Sequence, residues 1–232
     1  MPASAAPRPA DGFDGFRPAA LRFFTDLATH QEKAWFEAHR ATYEHEVLAP
    51  LRALVADLAT ELARRKVPLT ADPLKAVFRI HRDVRFSRDK RPYKTHAGAI
   101  LSRDGSKDRF GLLYLHIDPN GSFVATGFHQ PDPKLLEALR HAMLDEPQRI
   151  LDAIAALINV GAELSRDDAL TRLPRGFEQA AGTRVADLIR LRSLVMARPI
   201  AADALAHPAL VGSLADLAVA ALPLLRFGWE AV

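Results

Sequence analysis

No cysteine occurs anywhere in the 232 residues. Its absence excludes disulfides, thiol nucleophiles and thiolate metal sites together, and it suits a reducing compartment, with the cytoplasm as the expected location. The G-x-x-x-x-G-K-[ST] loop, the G-x-G-x-x-G turn and the G-x-S-x-G elbow are also missing, so the common nucleotide-loop and serine-hydrolase classes have no anchor here. Nine histidines are present, yet none falls in an H-E-x-x-H or similar ligand spacing, and His39 and His45 would sit on different faces of one helix. No metal and no cofactor are expected from this pattern. No apolar run approaches the ~18 residues of a spanning helix, so no membrane partner is expected. The opening "MPASAAPRPADG" lacks the basic head and apolar core of a secretory signal.

What is present is ordinary in bulk and unusual in one place. Hydrophobic residues make up 49% and charged residues 25%, values typical of globular chains. The length favours one domain over two, with residues 1–15 read as a flexible leader and 16–232 as a single α+β domain. The net charge is only +3, too little for a general nucleic-acid coat. Its distribution is uneven, because "RIHRDVRFSRDKRPYKTH" (79–96) sums to +5 and the other 214 residues to −2. One segment holds the basic surplus.

Apolar spacing predicts a helix from about Pro18 through Ala28, and a longer one from Gln31 through Trp35, Phe36, Tyr43 and Val47 to Leu62, with Pro50 as a kink or a new start. "LKAVFRIHRDVRF" reads as a strand that becomes an irregular loop from Ser87. "THAGAILS", "FGLLYLHI" and "SFVATGFH", separated by "RDGSKD" and "DPNG", read as an antiparallel meander. Asp132 caps a helix that opens at Pro133, and another helix begins near Pro147. "GAELSRDDALTRLPRGF" reads as irregular, "VADLIRLRS" as helical and "LVMARPI" as a strand. The last thirty residues read as helical, with Pro208 and Pro223 as breaks. Helices, then strands, then helices give an α+β fold with a largely antiparallel sheet.

Alternation in "LLYLHI" places Leu113, Leu115 and Ile117 on a core face and Leu112, Tyr114 and His116 on the other. Tyr114 and His116 could there supply a hydrogen-bond donor and a base near neutral pH; a merely solvated polar face is the competing reading. Trp35, Phe36 and Tyr43 suit a core wall as well as a pocket wall. For the basic segment two readings stand side by side. Its arginines and lysines converge on a phosphate or carboxylate, or Asp83, Asp89 and other carboxylates tie them into an ion-pair network.

The same segment closely resembles the signature of the DUF2461 family, which reads R-I-x-R-D-x-R-F-S-x-D-K-x-P-Y-K-T. Arg79, Arg82, Asp83, Arg85, Phe86, Ser87, Asp89, Lys90, Pro92, Tyr93, Lys94 and Thr95 match it. "AWFEAHRATYEHEVLAPLRALV", "LLYLHIDPNGSFVATGFHQPDPKLLEALR", "LPRGF" and "RSLVMARPI" extend the resemblance over most of the chain. His81 stands where an aromatic is common, Arg91 replaces a small polar residue, and "THQEK" replaces an Asn-rich lead. The resemblance implies a single α+β domain of a bacterial type of protein and assigns no catalytic role.

The expectation is therefore a pocket for a small anionic ligand. Arg79, Arg82, Arg85, Lys90, Tyr93 and Lys94 are the ligand contacts, and His116, Tyr114 and Asp83 are the candidates for proton transfer or orientation. Whether the pocket is enzymatic stays open. A nucleic-acid or protein-binding loop, with Phe86 or Tyr93 stacking, ranks second. A purely structural network ranks third. The oligomeric state is not legible.

Overall fold

A computed structural model describes residues 12–107 and 110–231. Residues 1–11 of the expected leader lie outside the described residues. Its last part belongs to the fold: Phe13 is buried, packs edge-on against Phe16 at 5.4 Å, and donates its backbone N–H to Asp57 at 2.6 Å.

Helix α1 (Pro18–Thr29) opens on proline, which needs no hydrogen-bond acceptor in a first turn, and buries Ala20, Phe23, Phe24 and Leu27 along one face. Short helices α2 (Lys33–Ala38) and α3 (Arg40–Thr42) lead into a π-helical turn, Tyr43–Leu48, and then α4 (Ala49–Arg64). The wide turn stands directly before Pro50, where an α-helical ladder would require an N–H that proline lacks. Pro50 thus begins a new helix without the chain leaving helical geometry.

The strand expected over 74–86 is not formed. Helix α5 (Pro73–Ala76) is followed by an irregular hairpin held by isolated bridges, Val77 with Ala99 and His81 with Tyr93, and by the Arg82 N–H to Pro92 and Lys94 N–H to Ile80 bonds. The reason is local. Arg82 interrupts the otherwise apolar alternate positions Phe78, Ile80, Val84 and Phe86 and pairs with Asp89 of the opposite limb, and Phe86 is left exposed, so the face is not buried as that of a sheet strand.

Strands β1 (Ala97–Leu101), β2 (Leu112–Ile117) and β3 (Ser122–Phe128) form the expected meander. Helices α6 (Pro133–Asp145) and α7 (Pro147–Ile158) follow, with the Asp132 carboxylate accepting from the Leu135 N–H. The stretch read as irregular contributes a short edge strand, β4 (Glu163–Leu164), before a 3-10 turn (Glu178–Ala180) and α8 (Ala186–Ile189). Strand β5 (Leu194–Ile200), α9 (Ala202–Leu205) and α10 (Leu210–Glu230) complete the chain. The sheet order is β1-β2-β3-β5-β4, antiparallel throughout. This is an α+β single domain.

Leu113, Leu115, Val124, Met196 and Leu101, at 0–2% exposure or less, face the helices on one side of the sheet. Helix α10 lies across β3 and packs between α4 and α7. Gly228 permits that approach, because a Cβ there would stand 2.1 Å from the Phe128 ring. Pro223 does not break α10, contrary to the sequence expectation; proline is tolerated where packing holds the helix on both sides of it. The same helix is long and apolar enough to cross a membrane, also against expectation, but half of it is buried inside the fold as a core helix. The cavity described next lies on the opposite face of the sheet.

Candidate functional site

The cavity face of the sheet is set by register. Gly98 pairs with His116, Ile100 with Tyr114, Tyr114 with Ala125, and Ala125 with Ala197, so these residues share one side of four strands. Gly98, Ile100, Tyr114, Ala125 and Ala197, together with Leu112, Phe123 and Val195, floor a cavity of about 1070 Å³, at the upper end of the range for small-molecule sites. Phe78, Phe110 and the loops around His129, Ser165 and Ser193 wall it.

The cavity has two polar ends. At one, Lys94 and Lys107 approach the same aromatic ring, their ammonium nitrogens 5.3 and 4.6 Å from the centre of Phe78. Lys107 also donates to the Val77 carbonyl at 2.8 Å. No carboxylate among the described residues lies within ion-pair distance of either. Burial, then the nearby Arg79 and Lys107, hold the Lys94 ammonium below the usual lysine range, and burial does the same to Lys107. At the other end, Asp168 accepts from the Ser193 hydroxyl at 2.5 Å and Ser193 in turn accepts the Gln130 N–H at 3.0 Å. Gln130 holds a left-handed φ of 43° at this rim, a conformation that costs a non-glycine residue free energy.

Tyr114 lies across the floor beside the lysines. It can do so because residue 98 is glycine: a Cβ there would meet the Tyr114 hydroxyl at 2.9 Å. The hydroxyl is 3.0 Å from His116 Nδ1, and His116 Nε2 is 3.5 Å from Asp118. His96 lines the cavity and places its ring 4.4 Å from that of His116, which stacks on Phe123 at 4.6 Å. Burial, then His116 and Lys94, push His96 down to about 4, against the pull of Asp118. Burial also lowers His116, with Asp118 opposing, and raises Tyr114. These downward shifts favour the neutral imidazoles, in which one ring nitrogen carries the proton and the other can accept or ligate. His96, His116 and Asp118 can each offer one ligand atom, and these atoms lie within 4.8 Å of one another.

Of the residues singled out from sequence, Lys94 and Tyr114 line this cavity and His116 joins it through Tyr114 and His96. The others lie elsewhere. Arg82 binds Asp89 at 2.6 Å and the Arg91 carbonyl at 3.2 Å, and Arg91 binds the same Asp89 carboxylate at 2.7 Å. Arg85 clamps Asp83 at 2.7 Å, and Lys90 donates to the Val84 carbonyl at 3.0 Å. Tyr93 is buried, stacks on Phe36 at 4.6 Å, and donates its backbone N–H to the side-chain oxygen of Gln31, just after α1, at 3.0 Å. Arg79 is exposed and makes no hydrogen bond or ion pair among the described residues, but its charge reaches Lys94.

Lys107, Phe78, His96, Asp118 and the Asp168–Ser193–Gln130 chain were not assigned a role from sequence. His96 and Asp118 were within reach: the alternation that pairs Tyr114 with His116 continues to Asp118, and that of "THAGAI" starts at His96. The remaining three lie on loops, where no period operates.

The family model described as "Conserved hypothetical protein (DUF2461)" matches residues 19–227. No curated protein and no solved structure matches the chain. With its model spanning nearly every element from α1 to α10, the chain belongs to the DUF2461 family.

Proposed function

We propose that the protein binds an elongated small molecule in the sheet-face cavity, with a phosphate or carboxylate at the Lys94–Lys107 end. The single observation that carries this reading is the pair of partly buried lysines that share the Phe78 ring and have no carboxylate partner among the described residues. Two ammonium groups brought together out of bulk water repel each other, and a bound anion is the natural compensation. The apolar middle, floored by Ile100, Leu112 and Val195, suits a hydrocarbon or ring body, and Asp168 at the far end suits a hydrogen-bond donor. Tyr114 lines the cavity, and the contact of its hydroxyl with His116 offers a path for a proton if the ligand is transformed. A cysteine-free chain performing such binding fits the cytoplasm.

A second reading has one specific observation in its favour. Phe86, at the tip of the basic hairpin, is 95% exposed, and the Arg85 guanidinium lies 5.9 Å from its ring centre. An exposed ring among arginines suits base stacking on a single-stranded nucleic acid.

One screen separates the two. Phosphorylated metabolites, nucleotides, organic acids and a short single-stranded oligonucleotide are tested by thermal shift and calorimetry against the wild type, Lys94→Ala/Lys107→Ala and Phe86→Ala. The cavity reading expects a small anion whose affinity falls at least ~100-fold in the double lysine variant, since each charge-assisted bond contributes about 1.5–3 kcal/mol, and is unchanged in Phe86→Ala. No small-molecule hit, or a hit indifferent to both lysines, sinks it. Oligonucleotide binding lost in Phe86→Ala would establish the second reading.

A further inference from the structure

We propose that His96, His116 and Asp118 form a binding site for a divalent transition-metal ion of the zinc type, set at the cationic end of the cavity floor. Register creates the site. Ala97 pairs with Ile117 and Gly98 with His116, so continuing the ladder by one residue sets position 96 opposite 118, on the same face as 116. Three donors from two neighbouring strands thus meet at one corner of the sheet, with all ligand atoms within 4.8 Å.

The distances suit an ion better than a hydrogen bond. His116 Nε2 and Asp118 are 3.5 Å apart, long for a hydrogen bond. Bonds of about 2.0–2.1 Å to a central ion place neighbouring donors about 2.9–3.4 Å apart, so the His116–Asp118 pair is nearly at that spacing, while the full set, within 4.8 Å, closes by up to about 1.5 Å through side-chain rotation. His96 makes no hydrogen bond among the described residues, which leaves its ring nitrogens uncommitted. His116 is already oriented: Phe123 stacks on its ring, and Tyr114 sits at Nδ1. With Nδ1–H donating to the Tyr114 oxygen, the tautomer leaves Nε2 free to ligate, the usual arrangement of an outer partner behind a metal-bound histidine.

Two imidazoles and one carboxylate select zinc-like ions over magnesium or calcium, which prefer oxygen ligands. Three protein ligands leave at least one coordination position unfilled, the mark of a site that takes water or a ligand and not of a structural one. His96 lines the cavity, so that position opens toward it. A divalent ion with one carboxylate remains positive beside Lys94, and its further ligand would be an anion or hydroxide. Metal capture goes beyond the anion-cavity reading, since it requires only the three donors.

The test uses tag-free full-length protein, stripped with chelator and dialysed. Zn²⁺ is titrated by calorimetry and Co²⁺ by visible absorption, for the wild type, His116→Ala, Asp118→Ala, His96→Gln and the exposed His45→Ala, with folding checked by circular dichroism. The expected result is one equivalent of ion bound by the wild type and His45→Ala. Affinity should fall at least ~100-fold in each ligand variant, more than the loss of an outer partner costs. If His116→Ala does not fold, Asp118→Ala and His96→Gln decide. Absence of saturable binding by the wild type, or binding that survives in the folded ligand variants, overturns the proposal.

Discussion

The tip and the root of the hairpin at 79–96 are built from the same residue types and have opposite electrostatic fates. At the tip, Arg82 and Arg91 share Asp89 while Arg85 clamps Asp83. At the root, Lys94 enters the cavity and shares the Phe78 ring with Lys107, and no carboxylate among the described residues pairs with either. A guanidinium two residues from an aspartate can close a bidentate pair within the loop itself, as Arg85 does with Asp83 and Arg91 with Asp89. A lysine anchored to the edge of a sheet has no such neighbour. Basic composition alone therefore says little about anion binding; what matters is whether the chain supplies its own carboxylates. The tip is shaped by its ion pairs, and the root holds the charge that the proposed ligand would meet.

Among single substitutions the largest effect on this contrast should come from Gly98→Val, which leaves both lysines in place and crowds Tyr114. Overpacking of this kind costs about 1–3 kcal/mol of stability, and the displaced phenol should weaken an anionic ligand about tenfold, one hydrogen bond's worth. Calorimetry with a ligand found in the screen checks it; unchanged affinity would mean that Tyr114 plays no part at the root.

Arg82→Ala probes the tip. It removes the Asp89 pair and the bond to the Arg91 carbonyl, so the melting temperature should fall modestly while ligand affinity stays within about twofold, as expected for a partly exposed pair remote from the ligand. A large loss of affinity with little change in melting would return the anion site to the arginines.

The smallest effect is that of Asp89→Asn, and it carries a pH signature. Arg91 first, then Arg82, hold the Asp89 carboxyl well below the usual carboxylate range. A folded-state pKa below the unfolded one adds stability that is present above the unfolded value, about 3.9, and is lost as pH falls through the folded value. The difference in melting temperature between wild type and Asp89→Asn should therefore be present at pH 7 and shrink only in strong acid. A difference that vanishes already near pH 6 would show that Asp89 is not paired in solution.

Much of the fold was legible before any coordinates. Asp132 and Pro133 announced α6, Pro147 announced α7, and the Gly-bearing turns "RDGS" and "DPNG" separated three strands whose alternation put Leu113, Leu115 and Ile117 in the core. Where the reading failed, packing or pairing outweighed local propensity. Pro223 stays helical inside α10, and the segment 74–86 takes single bridges in place of a strand, its apolar face interrupted at Arg82 and its Phe86 left exposed.

For the site, period-two alternation was enough to put Tyr114 and His116 together on the face away from the core. It could not say that this face floors a cavity, or that Lys107, thirteen residues beyond Lys94, returns to the same aromatic ring. Those facts depend on how loops close over a sheet, and loops obey no period. Sequence determined the strands, their inward faces and the concentration of basic charge in one hairpin, all of which follow from neighbours along the chain. Tertiary structure decided which cations are neutralised and which remain open, and it brought His96 to His116 and Asp118, because cross-strand register sets residues side by side that are some twenty positions apart.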